Sequence, residues 1–133
     1  IDYMYRIKHQ MTTGKQSWWQ QEQLDADEVE DCFQLYTKVK PGFVLSHETP
    51  TIVARRIGNP NILREFGFDP VGFTTNTQEL LQNLWNFHEP KLWIYGHFHL
   101  KSDMQIRDTR FICLPEFGYC DVNSNLEVMG LKL

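Results

Sequence analysis

Cysteine is scarce in this sequence, and its three copies form no closely spaced pair. The thiols of Cys32, Cys113 and Cys120 are odd in number and lack a CxxC spacing, which argues against a disulfide framework and against a zinc knuckle. Thiols without such pairing are typical of a reducing compartment. We therefore expect a cytoplasmic protein.

Long apolar runs and an excess of positive charge are missing as well. No run approaches the roughly 20 apolar residues of a transmembrane helix, and the start of the chain lacks the basic and then apolar pattern of a signal peptide. The formal net charge is −4, whereas nucleic-acid-binding surfaces are usually basic. We expect no membrane partner and no tight nucleic-acid binding, while nucleic acid remains open as a substrate.

The chain has room for one domain. Its 133 residues are too few for two ordinary domains, and its 41% hydrophobic and 14% aromatic content is typical of a folded protein. We predict a strand and loop over residues 1–24, two strand–helix units and a hairpin over 25–115, and a tail or an edge strand over 116–133. These elements alternate along the chain and indicate an α/β fold.

Two amphipathic helices are predicted from their caps and their apolar spacing. Asp25 followed by Glu28 is a capping box, and the helix that it begins ends before Pro41. Asn76 with Glu79 predicts the start of the second helix. The second helix leads directly into a strand, so the order strand, helix, strand predicts a parallel crossover.

Two apolar strands end in histidine. One strand precedes His47, and the other precedes Gly96, His97 and His99. We expect Gly96 to turn the backbone out of the sheet, so that the two histidines after it converge. Parallel strands end at the same edge of the sheet, where ligands of α/β proteins bind. Three convergent imidazoles favour zinc, iron or manganese, and the sequence predicts a metal site at His47, His97 and His99.

Four further residues are weaker candidates for contact with a substrate. Arg55 and Arg56 lie in a turn-rich segment, residues 51–75, which we expect to be an irregular loop, and they could bind phosphate. Trp18 and Trp19 could form the wall of a substrate cleft. Alternatively, the two arginines are ordinary surface residues. One of the two indoles would then close the core and the other would cover an edge. After His99, two short runs joined at Asp108 predict a hairpin that continues the sheet.

The histidine segments resemble a known family. VLSHETP at 44–50 and WIYGHFH at 93–99, in this order and separation, resemble the last two motifs of the calcineurin-like metallophosphoesterases. SWWQQE at 17–22 is similar to what precedes the first of these motifs in bacterial and phage members, so the resemblance covers roughly residues 1–115. It implies the C-terminal half of a four-layer α/β/β/α sandwich, with a parallel crossover followed by antiparallel strands. Residues 1–133 would then form a single partial domain.

The resemblance also implies a hydrolase that cleaves phosphate mono- or diesters through a metal-bridged hydroxide. His47 and His97 would ligate one divalent ion and His99 a second, with manganese, iron, zinc or similar ions only partly ligated by this chain. The family's earlier motifs, Asp-x-His, Gly-Asp-x-x-Asp and Gly-Asn-His, do not occur in the sequence. We therefore expect the catalytic residues in a missing N-terminal half or a second chain, and no activity from this chain alone.

Two other functions stay open at this point. The chain could be a non-catalytic remnant or protein-interaction module that keeps the fold without the full metal site. It could also be a three-histidine zinc hydrolase with an open fourth position, although no general base for one is evident. If an N-terminal half is missing, apolar residues on both histidine strands should lose cover. These residues are Phe43, Val44, Leu45, Leu92, Trp93 and Ile94.

Overall fold

The structure is a computed structural model that describes residues 2–16, 24–65, 67 and 69–133. The helices are α1 (Asp2–Thr13), α2 (Ala26–Val39), α3 (Thr51–Ile57), α4 (Pro60–Glu65) and α5 (Asn76–Phe87). The strands are β1 (Phe43–Ser46), β2 (Leu92–Tyr95), β3 (Ser102–Ile106), β4 (Thr109–Cys113), β5 (Tyr119–Val122) and β6 (Val128–Lys132). Of the helices in the described ranges, none combines the length and apolar character that crossing a membrane requires.

A mixed four-stranded sheet forms the centre of the fold, in the order β1-β2-β4-β3. β1 pairs in parallel with β2, β2 pairs in parallel with β4, and β3 runs antiparallel to β4. The predicted α/β class, the parallel crossover and the antiparallel hairpin are therefore confirmed. Ser46 stands opposite Tyr95 at the last register position of β1 and β2, so both strands end at the same level.

The two faces of the sheet pack against different layers because side chains alternate along each strand. Trp93 and Tyr95 of β2 point into a core formed with the helices, where Trp85 of α5 stacks edge-on against Phe111. The Trp85 Nε1–H donates to the buried Thr109 hydroxyl at 2.9 Å. The opposite face of the sheet packs against residues of the β5–β6 hairpin and against Leu114 and Leu133, which flank it.

The helix starts follow the sequence closely. Asp25 caps α2 as predicted, because its side chain accepts from the Glu28 N–H and the Glu28 side chain accepts from the Asp25 N–H. The cap of α5 is one residue earlier than predicted. The Thr75 hydroxyl, and not Asn76, accepts from the Gln78 N–H at 3.1 Å. Gln78 instead of Glu79 is therefore the third residue of this helix.

Three predicted segments differ from the structure. Residues 2–13 form a helix and not a strand, since no glycine or proline interrupts them before Gly14, which ends the helix at φ 68°. The segment 51–75 contains α3 and α4 and is not wholly irregular, because Pro50 and Pro60 stand at helix starts, where proline is tolerated. Residues 119–132 form their own hairpin that covers one face of the sheet and add no edge strand.

The expected loss of cover holds for only part of the two strands. Leu92, Trp93 and Ile94 are at most 4% exposed, since β2 lies between β1 and β4 and is covered on both faces. Phe43 and Leu45 of β1 are 37% and 72% exposed. Among the described strands, β1 is an edge of the sheet, and its outward residues lie beyond the hairpin that covers β2.

Candidate functional site

The two strand-end histidines lie side by side. His47 follows β1 directly, and His97 follows β2 after one glycine. The Nδ1 atom of His97 lies 2.9 Å from the Nε2 atom of His47, although 50 residues separate them. The rings meet edge to face at 83°, with their centroids 4.8 Å apart. The parallel pairing of β1 and β2 produces this contact, because it carries both strand ends to one edge.

A carboxylate and an amide support the second histidine from behind. The Nε2 atom of His97 lies 2.8 Å from the Glu48 Oε1 atom, and the Gln78 side-chain amide donates to the Glu48 Oε2 atom, also at 2.8 Å. The Glu48 side chain is 12% exposed and Gln78 is buried. The sequence reasoning missed both residues. The one available signal was the position of Glu48, a charged residue directly after a strand-end histidine.

The environment of Glu48 favours its ionised form. Burial by itself would raise the pKa of this carboxyl group. The hydrogen bonds from His97 and Gln78, together with the charges of His97 and His47, outweigh burial and lower the pKa below its ordinary value. Glu48 is therefore a carboxylate near neutral pH, and a carboxylate can only accept hydrogen bonds.

The backbone between His47 and Glu48 is fixed by the residue before them. The Ser46 hydroxyl accepts from the Trp93 Nε1–H at 2.8 Å and donates to the Glu48 carbonyl oxygen. Ser46 thus ties the end of β1 to a buried residue of β2. The hydroxyl therefore both accepts and donates in contacts that hold the two strand ends together.

The turn after β2 is built differently from the expectation. Gly96 does not adopt a positive φ, whereas His97 and His99 do, at 62° and 53°. The Phe98 N–H donates to the Gly96 carbonyl at 2.7 Å, which closes a three-residue turn with His97 at its centre. A non-glycine residue in the left-handed region costs of order 1–3 kcal/mol of conformational energy, and such residues are concentrated at functional sites. The histidines themselves, and not the glycine, turn the chain.

His99 has a separate partner. Its Nδ1 atom lies 2.8 Å from the Glu116 Oε1 atom, and the two side chains are 69% and 68% exposed. No hydrogen bond joins His99 to His47 or His97 in the described part of the chain. The structure therefore brings together two of the three predicted ligands and holds the third on a neighbouring carboxylate.

The donors fit part of the metal centre that the resemblance implies. A divalent ion about 2.1 Å from each of two nitrogens, in tetrahedral geometry, separates those nitrogens by about 3.4 Å. The observed 2.9 Å between His97 and His47 would have to open by only about 0.5 Å. A carboxylate on the far nitrogen of a ligating histidine is the usual support in metal sites, and Glu48 stands in that position. Within residues 2–16, 24–65, 67 and 69–133, no three His, Cys, Asp or Glu side chains are grouped to hold an ion.

Of the four weaker candidates, two make none of these contacts and two lie outside the described residues. Arg55 and Arg56 are exposed in the last turn of α3, and neither forms a hydrogen bond or ion pair with the histidines or with Glu48 in the described structure. Trp18 and Trp19 lie outside the described residues. No protein-family model matches the chain, and no curated protein matches it either.

Proposed function

We propose that His47 and His97 ligate one divalent metal ion at the shared end of β1 and β2, as part of a site that hydrolyses phosphate mono- or diesters. The observation that carries the proposal is the 2.9 Å contact between two imidazole nitrogens at adjacent parallel strand ends. In support, the sheet brings both imidazoles to an edge where α/β proteins commonly bind small molecules, and Glu48 contacts one of them.

The chemistry of the ring nitrogens supports metal binding. When Glu48 accepts the Nε2–H of a neutral His97, the Nδ1 lone pair of His97 faces His47. With His97 in this tautomer, the lone pair is an acceptor, and the hydrogen of the 2.9 Å contact belongs to the His47 Nε2 atom. An ion can replace that proton, since deprotonated nitrogens are what divalent ions bind.

The proposal includes a second ion and further ligands from outside this chain. His99 would serve the second ion through its Nε2 atom, because Glu116 holds the Nδ1 atom. Two imidazoles cannot bridge a pair of ions, so the bridging carboxylate would come from an additional segment or chain. A pair of divalent ions neutralises phosphoryl oxygens and activates water for in-line attack. On this proposal the chain is the C-terminal part of a calcineurin-like, four-layer metallophosphoesterase.

A hydrolysis assay tests this function. The substrates are bis(p-nitrophenyl) phosphate and p-nitrophenyl phosphate, and the enzyme is the full product of the natural gene with any partner that purifies with it. We expect manganese-dependent hydrolysis that falls more than about 100-fold in His97→Ala, since the metal supplies most of the rate. The control His9→Ala changes an exposed histidine of α1 and should retain the activity.

Two results would contradict the proposal. Hydrolysis that needs no metal, or that survives His97→Ala, would exclude these histidines from the chemistry. Absence of hydrolysis with manganese, iron and zinc, combined with specific binding of a protein partner, would instead favour the interaction module.

A further inference from the structure

The contacts around His97 form one continuous chain of four side chains. The Gln78 amide donates to one carboxylate oxygen of Glu48, the other oxygen contacts the Nε2 atom of His97, and the Nδ1 atom of His97 contacts His47. The distances are 2.8, 2.8 and 2.9 Å. His47 and Glu48 both follow β1, His97 follows β2, and Gln78 belongs to α5, so tertiary packing of three separate segments assembles this chain of contacts.

Each contact fixes the role of the next group. A carboxylate has no proton to give, so the Nε2 atom of His97 must carry the hydrogen. A neutral imidazole has only one N–H, and the Nδ1 atom is then left with a lone pair directed toward His47. Without an acceptor at Glu48, the two tautomers of His97 would compete and the ring could rotate.

Gln78 removes the remaining freedom of the carboxylate. Its backbone N–H is held by the Thr75 hydroxyl at the start of α5, and its side chain is buried. A buried side chain on a helical backbone has few rotamers available, so the Gln78 amide holds Glu48 in one orientation. The Ser46 hydroxyl fixes the backbone of Glu48 from the other side, through the Glu48 carbonyl oxygen.

We propose that Glu48, held by Gln78, is a positioning residue that keeps His97 in the Nε2–H tautomer and turns its Nδ1 atom toward His47. The benefit of this positioning to a metal ligand rests on the function proposed above. The tautomer of His97 does not depend on that function. In metal sites, loss of such a supporting carboxylate lowers metal affinity by about 10- to 100-fold while the ligands remain.

Nitrogen-15 NMR of the histidine rings tests the proposal in the metal-free chain, at a pH where His97 is neutral. The wild type should show a protonated Nε2 and an unprotonated Nδ1 on His97. Glu48→Leu should shift His97 toward a mixture of tautomers, and Gln78→Leu should shift it partly. Two matched controls should leave the His97 signals unchanged. Glu116→Leu removes the carboxylate beside His99, and Gln82→Leu removes a hydrogen-bonding amide one turn further along α5.

Cobalt titration supplies the second readout. Glu48→Leu should bind cobalt about 10- to 100-fold more weakly than the wild type, and Glu48→Gln, which keeps a carbonyl acceptor and the shape, should recover part of the loss. A protonated Nδ1 on His97 of the wild type would overturn the proposal, and this result does not depend on whether Glu48→Leu folds. An unchanged His97 tautomer in folded Glu48→Leu would overturn it as well. Failure of the wild type to bind cobalt while His97 keeps the Nε2–H tautomer would overturn the proposed function and support the positioning role.

Discussion

Ser46 of β1 lies directly opposite Tyr95 of β2, and this parallel register determines where the two histidine segments leave the sheet. One residue later, the Gly96 N–H still donates to the His47 carbonyl at 3.2 Å. The ladder therefore continues past both strand ends before the chains turn away. As a result the imidazoles of His47 and His97 begin from adjacent backbone positions and meet without any distortion of the strands.

The first prediction is that Gly96→Ala is tolerated. A Cβ added at Gly96 meets no atom within 4 Å, and its φ is not in the left-handed region. Alanine also restricts the unfolded chain, so the free energy of unfolding should stay unchanged or rise by up to about 1 kcal/mol. Urea unfolding measures it.

Gly118→Ala is the matched control for this substitution. A Cβ there would lie 2.7 Å from the Pro115 ring and 3.1 Å from the Lys132 carbonyl oxygen. Overpacking of this kind costs about 1–3 kcal/mol. A loss of more than about 1 kcal/mol from Gly96→Ala would mean that the glycine, and not His97, carries the turn.

The second prediction concerns an ion pair of the β3–β4 hairpin and its pH dependence. The Arg110 guanidinium donates to both carboxylate oxygens of Asp103, at 3.0 and 2.8 Å. These hydrogen bonds lower the pKa of Asp103 below its ordinary value, against a smaller opposing effect of burial. A folded pKa below the unfolded one adds stability above the unfolded pKa, and the stability is lost as the pH falls through the folded pKa.

Asp103→Asn should therefore lower the free energy of unfolding at pH 7 by about 0.2–1 kcal/mol, the range of solvent-accessible ion pairs. The difference from the wild type should close as the pH falls below about 4. Urea unfolding at pH 7, 5 and 3 checks both statements. Asp31→Asn, on the exposed side of α2, is the control and should show no such closing difference. If the stability difference between wild type and Asp103→Asn grew toward acid pH, the assigned direction of the Asp103 pKa shift would be wrong.

The third prediction is self-association through β1 when the 133-residue chain is expressed alone. An edge strand presents unpaired backbone groups, and Leu45 adds an apolar side chain that is 72% exposed. Burying a leucine contributes about 1.5–3 kcal/mol, so Leu45→Lys should weaken association by about 10- to 100-fold. Light scattering over a range of concentrations measures it.

Leu35→Lys is the control for self-association, because Leu35 is similarly exposed at 63% but lies on α2. It should leave association unchanged. A wild-type chain that stays monomeric at all concentrations and unfolds in one sharp transition would show that the β1 edge needs no partner.

Much of the fold could be predicted from local signals. The capping box at Asp25 and Glu28 and the strand–helix–strand order gave α2 and the parallel pair correctly. The helix over residues 2–13 was missed because its apolar residues have no clean period and its aromatic residues favour strands as readily. The β5–β6 hairpin was missed because its burial comes from the sheet face beneath it, which only the tertiary structure reveals.

The site divides in the same way. The contact of His47 with His97 follows from the parallel crossover, which the sequence indicates, and from the register of β1 and β2, which the structure supplies. The contact of Gln78 with Glu48 does not, since it depends on how α5 packs over the end of β1. The pairing of His99 with Glu116 likewise depends on the turn after β4. Metal binding and phosphoester hydrolysis remain predictions.

Cobalt binding to the 133-residue chain, free of any affinity tag, tests the central claim most directly. The visible spectrum and a calorimetric titration should show one cobalt site that His47→Ala and His97→Ala each weaken by more than about 100-fold, because each removes a metal–nitrogen bond. His9→Ala should leave the site unchanged. Equal cobalt binding by the wild type and the His47→Ala/His97→Ala double variant, or no binding by the folded wild type, would contradict the account.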